Sequence, residues 1–119
     1  MDPSSSTRMP GRLVPAGGGH VPVRVRGFVE DAAPARAHRS ERGFAVVLAR
    51  SEHDVVKVVD GSTVLGYLPE GWSQVVDFEL WSAEQAGEPA VARAVLEGVR
   101  GERDLFVMLS WPRRRGSSQ

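Results

Sequence analysis

Three apolar runs crowd into the stretch from Gly43 to Glu70, GFAVVLARSEHDVVKVVDGSTVLGYLPE, parted only by a charged corner and an Asp-Gly pair. Runs so short and so close, joined by tight turns, specify antiparallel strands rather than helices. Phe44 to Ala49 is continuously apolar and partly β-branched, the pattern of a strand buried on both faces. Val55 to Val59 forms a second run, and Asp60-Gly61 signals a two-residue hairpin into Thr63 to Leu68. Pro69 ends that strand, because proline has no N–H to give a ladder.

The flanking segments extend the pattern. Val21, Val23 and Val25 alternate with Pro22, Arg24 and Arg26, which gives one apolar and one polar face, and Gly27 then marks a bulge or a close backbone approach. Residues 30–42 are polar, contain Pro34, and read as a loop with one helical turn. From Gly71 the period changes. Trp72, Val75, Val76 and Glu79 or Leu80 recur at helical spacing, with Phe78 and Trp81 widening the apolar face, until Gly87 and Pro89 supply stop signals. This predicts an amphipathic helix over Glu70 to Ala86. Val91 to Leu96 alternates again as a strand, and a turn at Gly98 to Gly101 leads to a last strand, Leu105 to Trp111, ended by Pro112. The order is strands, one helix, then strands. It predicts a mainly β fold, a small, partly open antiparallel barrel with the helix packed across an opening.

Composition narrows this to one domain. Of 119 residues, 1–19 are dominated by Ser, Pro and Gly and are expected to be a disordered tail. Residues 113–119 form a short basic tail, which leaves 20–112 as the folded unit. Basic and acidic residues both number 15, a balance that argues against a strongly basic nucleic-acid coat or a polybasic membrane anchor. All the basic residues but Lys57 are arginine, the residue suited to bidentate phosphate or carboxylate contacts and also the product of a GC-rich genome. The absence of cysteine excludes disulfides and thiolate chemistry. With no apolar run of signal-peptide or spanning length, a cytoplasmic location is expected.

The run Leu48-Ala49-Arg50, the corner Ser51-Glu52-His53-Asp54, the strand Val55-Val56-Lys57-Val58 and above all Val64-Leu65-Gly66-Tyr67-Leu68-Pro69 resemble the HIRAN domain family. The helix from Trp72 and the later strands match that family's order of elements, so the resemblance covers about Val21 to Pro112. The corner departs from the family's Asn-Pro-Tyr-Asp pattern, keeping the acidic residue as Asp54, with His53 in the tyrosine's place. The family's early aromatic pair is reduced to Phe28. The resemblance implies an OB-like barrel and binding of DNA, including single strands or DNA ends. By that resemblance Phe28 is the base platform, His53 replaces the corner tyrosine, and Asp54 accepts from a sugar hydroxyl or base edge. Arg26 and Arg50 are then the nearest phosphate partners, and Tyr67 completes the set.

Each residue also has a plain structural reading. Phe28 ends a strand and suits the core, His53 and Asp54 suit a turn, and Arg24, Arg26 and Arg50 suit the solvated face of a sheet. Tyr67 suits a core ring with its hydroxyl bonded at the rim. Catalysis is not expected. The three histidines are scattered, Gly17-Gly18-Gly19 neither follows a strand nor opens a helix, and no nucleophile elbow is present. No metal or cofactor is expected either. Two functions remain: a small non-catalytic nucleic-acid-binding module, or a protein-interaction and assembly module that has kept the barrel. The second is motivated by Trp72, Phe78 and Trp81, which cannot all point inward from one helix.

Overall fold

The computed structural model describes residues 11–39 and 42–111. Among these residues seven strands and one helix follow in the order β1 (Arg12–Leu13), β2 (Val21–Arg24), β3 (Phe44–Arg50), β4 (Val56–Asp60), β5 (Thr63–Tyr67), α1 (Glu70–Gln85), β6 (Ala90–Glu97) and β7 (Asp104–Leu109). The expected tail residues 1–10 and 113–119, and Pro112, lie outside the described residues. Residues 11–14 belong to the fold, unlike the tail expected there. Arg12 and Leu13 pair in parallel with Ala90 and Val91, and Val14 is buried.

The sheet runs β2-β7-β6-β3-β4-β5, with every neighbour in that path antiparallel. It curls until the chain just past β2 meets the end of β5. There the Arg26 N–H donates to the Tyr67 carbonyl at 2.7 Å and the Tyr67 N–H to the Arg26 carbonyl at 2.9 Å. One bridge thus draws the two ends of the sheet together, which makes the partly open barrel expected from the strand pattern.

Alternation fills the interior. Val23, Val25, Phe44, Val46, Leu48, Val56, Val58, Leu65, Leu105 and Val107 point inward and are buried. Burial of each such side chain contributes about 1.5–3 kcal/mol. β3 differs from the expectation of a strand covered on both faces: Ala45, Val47 and Ala49 alternate with the buried residues and are only half-buried. Its outer face is apolar yet uncovered, because α1 packs through Val76, Leu80 and Ala83 and leaves that face open.

Helix α1 starts after Pro69, with no side-chain cap, and is tied to β4 by the buried Ser73 hydroxyl, which accepts the Val56 N–H at 3.0 Å. Phe78 and Trp81 do not widen its buried face. They are 71% and 47% exposed. Trp72 is half-buried and packs its ring 4.6 Å from that of Trp111. The stretch from Glu30 to Arg39 contains two short 3-10 turns, Glu30–Ala32 and Ala35–His38. Among the described residues no helix is long and apolar enough to cross a membrane.

Candidate functional site

The hairpin of β4 and β5 sets the geometry. Asp60 pairs with Thr63 and Val59 with Val64, so the two turn residues are Gly61 and Ser62, with Gly61 at φ 60°. A bulge then intervenes. Leu65 is the extra residue, and beyond it Val58 pairs with Gly66 and Lys57 with Tyr67. The bulge keeps Leu65 and Gly66 buried while Tyr67 turns outward, 41% exposed.

Residues directly paired across strands project to the same face. Arg26 pairs with Tyr67, Tyr67 with Lys57, and Lys57 with Ala49. Tyr67 therefore stands between two cations in one row. Among the described residues neither Arg26 nor Lys57 makes a salt bridge. A cleft of about 530 Å³ opens beside this row, lined by Arg26, Gly27, Val55, Tyr67, Leu68 and Glu70. It offers a cation, a phenol, a carboxylate and an apolar floor.

The close approach that makes the seam depends on Gly66. A Cβ there would stand 2.5 Å from the Arg26 carbonyl oxygen and would collide with the Val25 side chain. Gly27, at φ 79°, then turns the chain back toward the barrel. That turn explains Phe28, which packs half-buried against the core instead of lining the cleft. Tyr67 holds the exposed aromatic position instead.

Arg50 is also elsewhere. Its Nη2 donates to the Asp77 carbonyl at 3.0 Å and lies 3.1 Å from the Asp77 carboxylate, while Nε is 3.6 Å from Glu84. These are α1 residues, and Arg50 is used to hold the helix. His53 and Asp54 are exposed in the corner that leads into Val55. Hydrogen bonds from Ser51 N–H to the Val55 carbonyl at 3.0 Å and from Asp54 N–H to the Ser51 carbonyl at 3.4 Å close that corner. Asp54 adopts φ 62°, a left-handed conformation that Asp tolerates better than most residues. Of the six expected site residues, the structure brings Arg26 and Tyr67 together at the cleft and leaves His53 and Asp54 exposed in the corner before Val55, outside its lining. Phe28 and Arg50 serve the scaffold.

Sequence reasoning missed Lys57 and Glu70. Lys57 carried a signal, as the one charged residue in an otherwise apolar strand, but its place beside Tyr67 depends on the bulge. Glu70 follows Pro69 directly and read only as the start of the helix.

A second polar cluster lies away from the cleft. Glu30 Oε2 accepts from Arg103 Nε at 2.9 Å and Nη2 at 2.8 Å, and Oε1 accepts the backbone N–H groups of Gly101 at 2.9 Å and Arg103 at 2.7 Å. The Arg103 side chain, helped by its backbone N–H, holds the Glu30 carboxyl below the usual carboxylate range. His38 Nδ1 accepts from Arg103 Nη2 at 2.6 Å. The Glu30 carboxylate takes four donors here, and the cluster braces the loop before β3 against the turn before β7.

Compared with family models, with curated proteins and with solved structures, the chain gives no match.

Proposed function

We propose that this domain is a small non-catalytic nucleic-acid-binding module that takes single-stranded DNA or DNA ends at the seam of its barrel. The observation that carries the reading is the in-register row Arg26–Tyr67–Lys57, an exposed ring between two cations free of carboxylate partners among the described residues. Single-strand binding needs such a combination: a sequence-tolerant face on which a base stacks, with basic groups that follow the phosphates on either side. The adjoining cleft is of a size to admit one nucleotide. Glu70, which lines it, supplies an acceptor for a sugar hydroxyl or a base N–H, and Asp54 stands one residue before the lining Val55. The resemblance of Val64 to Pro69 to HIRAN domains supports the same reading, with Tyr67 in place of Phe28 as the stacking ring. The zero net charge restricts the electrostatic contribution to this local row.

Fluorescence anisotropy with a short labelled single-stranded DNA, at low and moderate salt, tests it. Tyr67→Ala is expected to weaken binding roughly 5- to 150-fold, the worth of about 1–3 kcal/mol for one stacked base. Arg26→Ala and Lys57→Ala are each expected to reduce the salt slope by about one. No binding at tens of micromolar protein, or binding indifferent to Tyr67→Ala, overturns the proposal.

A further inference from the structure

Among the described residues two apolar faces are uncovered, with opposite borders. The first is on the sheet. Leu13, Val91, Val47, Val59 and Val64 pair in series across β1, β6, β3, β4 and β5, so five apolar side chains form one row on the outer face. Leu13 and Val64, at its ends, are 47% and 44% exposed, and the three central valines are half-buried. With strands about 4.8 Å apart the row is about 19 Å long. The rows next to it carry Arg93 with Ala45 on one side and Lys57 with Ala49 on the other. Neither cation has a carboxylate partner among the described residues.

The second face is on α1. Phe78 and Trp81 sit on adjacent turns with ring centroids 5.9 Å apart, both exposed. Gln74, Asp77, Glu84 and Gln85 surround them, all exposed. The helix has no basic residue of its own, and Arg50 alone serves both Asp77 and Glu84. An exposed aromatic pair of this kind is what partner surfaces bury at their centres.

We infer that the occupant of each face is the other face of a second copy of this chain: the Phe78–Trp81 pair of α1 seats on the apolar row of a neighbour's sheet. Charge complementarity selects this partner. The row bordered by Arg93 and Lys57 meets a helix face bordered by Asp77 and Glu84, and like-charged pairings of row with row or helix with helix are disfavoured. The contact joins two different surfaces, so each copy offers one of each kind. It goes beyond the nucleic-acid reading and shares only Lys57 with it.

Light scattering on the full chain, over about 10 to 500 µM, tests this. The weight-average mass is expected to rise from the monomer value of 12.9 kDa towards that of two or more copies, and to fall back with added salt. Phe78→Asp and Val64→Glu alter exposed positions, so both variants are expected to fold. Each alone is expected to stay monomeric, or nearly so, across this range. Mixed in equal amounts they are expected to recover a dimer that grows no further, since each then supplies the one intact face that the other needs. A wild-type mass that stays at one copy throughout overturns the inference. So does association that survives both substitutions, or a mixture that remains monomeric.

Discussion

Arg103 and Arg26 are used in opposite ways. Arg103 is enclosed with Glu30 and His38, its guanidinium donating to a carboxylate and an imidazole while its own backbone N–H satisfies the other carboxylate oxygen. Arg26 commits its backbone to the barrel seam and leaves its side chain at the mouth of a cleft, beside a half-exposed tyrosine. The first corner has turned its guanidinium and carboxylate on each other within the fold. The second leaves its guanidinium without a carboxylate partner among the described residues. A cation therefore marks a binding surface only where the fold has left it without an internal partner, and Arg50, clasped by α1, shows how easily exposure in the sequence misleads.

The largest test of this contrast acts on the seam. Gly66→Ala sets a Cβ against the Arg26 carbonyl and the Val25 side chain, so the two edges cannot meet. A loss of about 1–3 kcal/mol is expected, with faster hydrogen exchange at the Arg26 and Tyr67 amides and an unchanged Glu30–Arg103 corner. Native-state exchange would check all three, and an unaltered melting temperature would deny the seam any structural weight.

Acid sharpens the other side. Because the folded Glu30 carboxyl titrates below its ordinary value of 4.5, the folded state binds fewer protons than the unfolded chain through that range. Its contribution is present above about pH 4.5 and is lost as the pH falls through the lowered value. Urea midpoints measured from about pH 6 down to about pH 3 should decline, and Glu30→Gln should flatten this part of the decline. The smallest effect belongs to Arg50→Ala. It removes surface ion pairs to α1, worth about 0–1 kcal/mol, and should leave DNA affinity unchanged. A large loss of affinity in that variant would mean that Arg50 leaves the helix to bind.

The sequence made the scaffold legible because period and punctuation are local. The apolar runs of β3, β4 and β5, the break at Pro69 and the helix ended before Gly87 all lie where their patterns place them. β1 was not legible, since two residues carry no alternation and Arg12-Leu13 is recognised only by the strand it joins. The site was half legible. Counting back from the Asp60–Thr63 pair places Gly66, not Tyr67, opposite Lys57. One extra residue at Leu65 shifts that register, and nothing in the local residue types announces it. The family resemblance alone puts Phe28 at the cleft, whereas its place at a strand end suits the core, and the turn at Gly27 sends it there. Arg50 depended on Asp77 and Glu84, two carboxylates seven residues apart that only the packing of α1 brings to it.

The Arg26–Tyr67 bridge has a consequence for how occupancy and cohesion are coupled. The residues whose peptide groups fasten the barrel are the ones whose side chains face the cleft. A ligand that spans the ring and the guanidinium adds a second tie across the join, and it binds the closed form in preference to one that has come undone. By mass action it then disfavours the parting of β2 from β5, giving about 2.7 kcal/mol of added stability at a ligand concentration 100 times its Kd. Saturation would be written in the exchange rates of two amides, so the clasp of the domain doubles as its reporter.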